Sequence, residues 1–72
     1  MNKEELAKLQ AYLRKTFGNA TVEVRAQPKK KDMAEVFVGG EFVATLYKII
    51  EDGETEYQVQ MAILEMDLEE GA

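Results

Sequence analysis

The side chains in this chain that could do chemistry are carboxylates, lysines, threonines and tyrosines. Histidine, cysteine, serine and tryptophan are all absent, so the usual nucleophiles and the proton shuttle that works near neutral pH are missing. Carboxylates alone can hydrolyse glycosidic bonds, but that reaction requires a walled cleft in which one acid keeps a raised pKa. A domain this small offers little wall. We therefore expect no enzymatic activity, no catalytic residues and no cofactor.

The acidic stretches are the next candidates, for metal binding. Residues 51–56, EDGETE, place carboxylates around a glycine, which suits hard cations, but the 12-residue calcium-loop pattern with its distal bidentate glutamate is absent. We interpret this stretch as a solvated turn and expect no metal site. Residues 65–70, EMDLEE, are either a solvated acidic tail or a contact for a basic partner.

The lysine run in residues 26–35, AQPKKKDMAE, raises the question of nucleic-acid binding. A basic patch could form if the first hairpin lay beside the C-terminal end of the helix described below. Its members would be Arg14, Lys15, Arg25, Lys29, Lys30 and Lys31. The simpler interpretation is a hairpin loop with solvated lysines, in which proline helps to end the strand.

The charge is divided unevenly along the chain. Residues 1–31 carry eight basic and three acidic side chains, whereas residues 32–72 carry one basic and eleven acidic side chains, for a net charge of −5. With a pI of about 4.6, the chain lacks the overall basic character of a nucleic-acid-binding domain. The asymmetry also fits complementary regions that meet in an oligomer.

The first element that must position these side chains is a helix. Asn2 is a suitable N-cap, with Glu5 three residues later as in a capping box, and Gly18 suits the left-handed residue that ends a helix. Leu6, Leu9, Leu13 and Phe17 recur at the spacing of one helical face. The pattern predicts an amphipathic helix ending near residue 18.

The rest of the chain predicts four strands joined by hairpins. Residues 21–26 alternate with period two, and Gly39-Gly40 and Asp52-Gly53 are strong signals for two-residue turns. The first turn pairs Phe37 with Phe42, and the second pairs Leu46 with Val59. The resulting core face would contain Met33, Phe37, Phe42, Ala44, Leu46, Val59, Met61 and Ile63. We expect residues 64–68 to continue the alternation, after a bulge near Ile63 or a crossing to the other face.

The opposite face of this sheet is half apolar, which one helix cannot cover. A contiguous apolar surface usually indicates an interface, although valine and threonine are also simply good strand formers. The predicted centre of a protein interface consists of Val36, Val43, Thr45, Tyr47 and Ile49.

Length and composition limit the remaining possibilities. Seventy-two residues predict one domain, residues 1–72, whose small core favours self-association. The chain shows no signal peptide and no apolar run long enough for a membrane span, and the lack of cysteine fits a reducing compartment. We expect a cytoplasmic location and no membrane partner.

Several segments resemble a known family. Residues 13–19, LRKTFGN, together with Pro28–Lys30, Ala34–Val36 and Gln60–Leu64, are similar to a small alphaproteobacterial family, the domain-of-unknown-function family 3126. The likeness covers nearly the whole chain and departs at KII, residues 48–50. It implies a cytoplasmic bacterial protein and transfers no catalytic or ligand residue.

These observations predict an α+β domain in which one N-terminal helix packs on a four-stranded antiparallel meander, α-β-β-β-β. The predicted function is a non-enzymatic protein-interaction module that self-associates through its outer sheet face, as a homodimer in the first instance, or that binds an unidentified protein. The alternative is a weak RNA- or DNA-binding protein that uses the basic patch.

Overall fold

The chain forms one helix followed by an antiparallel meander. The structure, a computed structural model, describes residues 1–70. The elements are α1 (Lys3–Phe17), β1 (Glu23–Ala26), β2 (Met33–Val38), β3 (Glu41–Glu51), β4 (Glu54–Gln60) and a short α2 (Glu65–Glu70). The strands lie in the order β1-β2-β3-β4, which confirms the predicted α+β fold and adds a second helix.

The ends of α1 are those that its sequence predicts. The side chain of Asn2 accepts a hydrogen bond from the backbone N–H of Glu5 at 2.7 Å, and Gly18 ends the helix in the left-handed conformation, with φ of 60°. Acidic residues occupy the first turn and basic residues the last, and both arrangements favour the helix dipole. The start and end of α1 are therefore set locally.

Both predicted hairpin turns are present. Gly39 and Gly40 have φ of 59° and 85°, and Asp52 and Gly53 have φ of 50° and 79°. Two successive positive φ angles give the turn whose twist matches that of the flanking strands. The pairs Phe37–Phe42 and Leu46–Val59 follow as predicted.

A β-bulge makes part of the predicted register wrong. The pairing of β2 with β3 shifts between Val36 and Phe37, so Val36 pairs with Ala44 and Ala34 with Leu46. Val43 is the extra residue. One inserted residue reverses the face on which the later side chains of that strand lie. The residues of β3 before Val43 and those after it therefore follow opposite alternations between the two faces of the sheet.

The core therefore differs from the predicted one. It contains Leu13, Val22, Val24, Ala34, Val36, Ala44 and Leu46. Met33 and Phe37 were predicted to face the helix but lie on the opposite side of β2, as the buried Ala34 and Val36 between them require. Four more residues that were predicted in the core are exposed: Phe42, Val59, Met61 and Ile63.

Two of the predicted interface residues are affected by this correction. Val36 is only 5% exposed and belongs to the core, and Val43 is half-buried and packs against it. Their predicted place on the outer face is wrong, because the bulge shifts the alternation of side chains and both residues lie on the side that faces the helix.

The helix covers only part of the sheet. An α-helix is roughly 10 Å wide, whereas four strands about 4.8 Å apart form a wider surface. The buried residues come from α1, β1, β2, β3 and the turn before β1, and every residue of β4 is exposed. The face of β4 towards the helix is left open.

The segment after β4 is helical instead of extended. β4 ends at Gln60, and α2 begins at Glu65, so the predicted continuation of the strand is wrong. Asp67 forms two hydrogen bonds with Leu64 at the start of α2. Its backbone N–H donates to the carbonyl of Leu64, and its carboxylate accepts from the N–H of Leu64. Among the described residues, no helix is long and apolar enough to cross a membrane.

Candidate interaction surface

A cluster of polar side chains ties the start of α1 to the last two strands. The carboxylate of Glu5 lies 2.7 Å from the ammonium group of Lys48 and accepts a hydrogen bond from the hydroxyl of Tyr57. Lys48 and Tyr57 pair across β3 and β4, so they present their side chains together. The cluster fixes the N-terminal end of α1 above β4.

These contacts change the acidity of all three groups. The hydrogen bond from Lys48, followed by that from Tyr57, lowers the pKa of Glu5 from 4.5 to about 2. The same carboxylate raises the pKa of Lys48 and the pKa of Tyr57, because it stabilises the ammonium ion and the protonated phenol. Glu5 is therefore ionised and paired throughout the neutral pH range, which suits a side chain that holds α1 to the sheet.

The other half of α1 is tied to the opposite edge of the sheet. The backbone N–H of Val24 donates to the side-chain oxygen of Gln10 at 3.0 Å, and Arg14 donates through Nε to the carbonyl of Val22 at 2.7 Å. The helix therefore crosses the sheet from β4 at its start towards β1 at its end. A gap opens between the second half of α1 and β4.

This gap is an apolar groove. Its wider part, of about 450 Å³, is lined by Glu5, Lys8, Leu9, Tyr12, Leu13, Leu46, Tyr57 and Val59. A deeper part of about 230 Å³ continues past Phe17, Val43 and Met61. Tyr12 is 65% exposed and Phe17 68%, although Phe17 was predicted to lie on the buried stripe of the helix. We call this surface, between α1 and β4, the groove.

A second exposed apolar surface follows directly. Residues 61–70, which we call the arm, comprise the link after β4 and α2. Every side chain from residue 61 to residue 69 is exposed. The large apolar ones are Met61, Ile63, Leu64, Met66 and Leu68. An exposed apolar segment beside an open apolar groove is the most distinctive feature of this molecule.

The outer sheet face is better covered than predicted. Thr45, Tyr47 and Ile49 lie there, opposite in direction to the buried Ala44 and Leu46, and each is half-buried. The guanidinium of Arg25 lies 4.1 Å from the centre of the Phe37 ring. Phe37 in turn packs edge-to-face against Phe42 at 5.8 Å. Neighbouring side chains thus cover part of the apolar area on this face, whereas Phe42 is 54% exposed.

The residues of the predicted basic patch do not form one surface. Lys29, Lys30 and Lys31 lie in the β1–β2 loop, where the carbonyl of Lys31 accepts from the Met1 amino group at 2.6 Å. The loop is thus beside the start of α1, whereas Arg14 and Lys15 are in its last turn, roughly 17 Å further along at 1.5 Å per residue. Arg25 is separated again, on the outer face, and is paired with Glu23 at 2.5 Å. The lysines instead border a shallow depression with Tyr47, Lys48 and Ile49.

Within residues 1–70, no group of three or more carboxylates is placed to hold a metal ion. The turn at residues 51–56 is a hairpin tip with exposed side chains. Glu5, whose pKa is lowered to about 2, is paired with Lys48 and Tyr57.

The sequence contained a signal for the Glu5 cluster that our prediction did not use. Lys48 has the same strand parity as Ala44 and Leu46, so its charged side chain must face the helix and needs a partner. Glu5 precedes Leu9 and Leu13 by four and eight residues, which places it on the same helical stripe. The groove had no comparable signal, because the bulge and the diagonal course of α1 are tertiary features.

Comparison with known proteins gives one match. A family model described as a protein of unknown function (DUF3126) matches residues 5–67. The chain matches no curated protein and no solved structure at a significant level.

Proposed function

This chain belongs to the protein family of unknown function DUF3126, and we propose that it acts as a non-enzymatic protein-interaction module that self-associates through the groove. The single observation that carries the proposal is this apolar channel between α1 and β4. Its two most exposed large hydrophobic side chains are aromatic, Tyr12 and Phe17, and aromatic residues are enriched where proteins bind one another. This replaces the outer face as the proposed interface.

A second copy is the partner that the charge distribution favours. The first 31 residues are strongly basic and the remaining 41 strongly acidic, so two copies in reciprocal contact place unlike charges opposite each other. β4 is also an edge strand of the sheet. Such edges are usually covered, and a symmetric partner at the groove would cover this one.

Light scattering on a size-exclusion column tests the proposal. We expect a mass of twice the 8.2 kDa of one chain. Because the interface is apolar at its centre, the dimer should persist when salt is raised to about 1 M, where the Debye length is only about 3 Å. A single-chain mass at every accessible concentration would contradict the proposal.

Two matched variants locate the interface. Tyr12→Asp introduces a charge into the groove and should raise the dimer dissociation constant at least about tenfold. Ile50→Asp is the control, because Ile50 is similarly exposed, at 63%, and lies beyond the Glu5–Lys48 pair and outside the groove. Equal weakening by both substitutions would assign the interface elsewhere.

A further inference from the structure

We propose that the groove of each copy is filled by the arm of the second copy, in a reciprocal exchange. This inference rests on the proposed function, since it names the part of the partner that enters the groove. It starts from the composition of the arm, in which five of the ten residues are large and apolar. A segment that remains solvated is typically poor in large apolar side chains.

The arm has the form of a docking segment. α2 has reciprocal hydrogen bonds between Leu64 and Asp67 at its start, so the segment is helical in a single copy. Leu64 and Leu68 are four residues apart and lie on one side of this turn. A short helix with an apolar side matches a channel lined by Leu9, Tyr12 and Val59.

The charges of the two surfaces are complementary. The arm carries Glu65, Asp67, Glu69 and Glu70 and no basic residue. The groove has Lys8 on its rim, and within residues 1–70 the ammonium group of Lys8 pairs with Glu4 at 3.4 Å, with both side chains nearly four-fifths exposed. Such a pair is weak, so Lys8 is able to exchange it for a carboxylate of the arm.

The course of the chain favours a second copy over the groove of the same copy. The arm starts at Met61, which lines the deep end of the groove beside Phe17, and every side chain from residue 61 to residue 69 is exposed, so the arm does not occupy the groove of its own copy. A return would need a tight reversal near residue 61, but residues 60–66 contain no glycine, proline, asparagine, aspartate or serine, the residues that best form such turns. A twofold axis near the ends of the two β4 strands delivers each arm to the other groove without any reversal.

The experiment uses the full chain in three forms. The arm variant carries Leu64→Asp and Leu68→Asp, the groove variant carries Tyr12→Asp, and the control carries Ile50→Asp. All these side chains are exposed within a single copy, so each variant should keep the circular dichroism spectrum of the wild type. Tyr12→Ala replaces Tyr12→Asp if the latter fails to fold.

The decisive step is mixing, followed by light scattering. Alone, the arm variant and the groove variant should each have the single-chain mass, whereas the control should remain a dimer. An equimolar mixture of the two defective variants should regain dimer, because the intact arm of one fits the intact groove of the other. Half of the exchanged contacts survive in this mixed dimer.

The remaining outcomes separate this inference from the proposed function. If the wild type and the arm variant are both dimers, the arm does not fill the groove, and self-association stands without it. If the mixture stays monomeric where the wild type is dimeric, reciprocal exchange is overturned. A monomeric wild type overturns both proposals. An arm that folds into the groove of its own copy would give this result.

Discussion

The Glu5 cluster leads to a quantitative prediction about the substitution Glu5→Gln. Glutamine keeps the shape of the side chain and its ability to accept a hydrogen bond, but it removes the charge that Lys48 faces at 2.7 Å. The pKa of Glu5 is lowered from 4.5 to about 2, and one pKa unit corresponds to about 1.4 kcal/mol. Full linkage would thus give about 3 kcal/mol of folding stability.

The expected loss is smaller than this limit because the cluster lies at the surface. The carboxyl side chain is 14% exposed and the Lys48 side chain 23%, so water screens the attraction. We expect Glu5→Gln to lower the free energy of unfolding by about 1 kcal/mol at pH 7. For a chain of this size that corresponds to a fall of about 4–8 °C in Tm.

The pH dependence of the loss identifies its cause. Because the folded-state pKa of Glu5 lies below the unfolded value, its contribution is fully present above about pH 4.5 and is lost as the pH falls towards about 2. The difference between wild type and Glu5→Gln should therefore be clearly smaller at pH 3 than at pH 7.

The assay is urea unfolding followed by circular dichroism, at one fixed protein concentration because association also stabilises the fold. The matched control is Glu4→Gln, one residue earlier in the same helical turn, whose exposed pair with Lys8 contributes less than about 0.5 kcal/mol. Equal losses from both substitutions, or a Glu5→Gln loss that does not change between pH 7 and pH 3, would refute the role of this cluster.

Three further predictions concern the core, a turn and the basic residues. Leu46→Ala should cost about 2–5 kcal/mol of unfolding free energy, since Leu46 is 1% exposed, and Ile50→Ala on the same strand should cost under about 0.5 kcal/mol; similar losses in urea unfolding would contradict the described core. Gly40→Ala should cost about 1 kcal/mol in the same assay, purely from the positive φ of 85°, because an added Cβ would meet no atom within 4 Å; an unchanged midpoint would argue against this turn. A fluorescence titration with short RNA should show no saturable binding even near 50 mM salt, because the basic residues are divided; saturation would revive the nucleic-acid alternative.

Features that depend on residues close together in the sequence could be predicted from the sequence alone. The caps of α1, the glycine turns and the β3–β4 register as far as Gln60 follow from local backbone preferences, and all of them agree with the structure. The β2–β3 register failed after its first two pairs because Val43 has no special residue type to indicate a bulge. An inserted valine in an alternating valine-rich strand looks like any other.

The candidate site could be predicted only in part. An exposed apolar surface was expected, but it was assigned to the outer face, whereas the structure exposes apolar side chains along the groove and in the arm. That assignment assumed that α1 would cover the inner face fully. Whether a helix lies along a sheet or diagonally across it depends here on Glu5, Gln10 and Arg14, whose partners lie on three different strands or their flanking turns.

The most direct test of self-association through the groove is an isotope-filtered nuclear Overhauser experiment on a mixture of labelled and unlabelled wild-type chains. It detects only contacts between copies. We predict signals between the methyl groups of Leu64 and Leu68 in one copy and the ring of Tyr12 in the other. A dimer that shows filtered signals only from Thr45, Tyr47 and Ile49 would place the interface on the outer face and contradict the account.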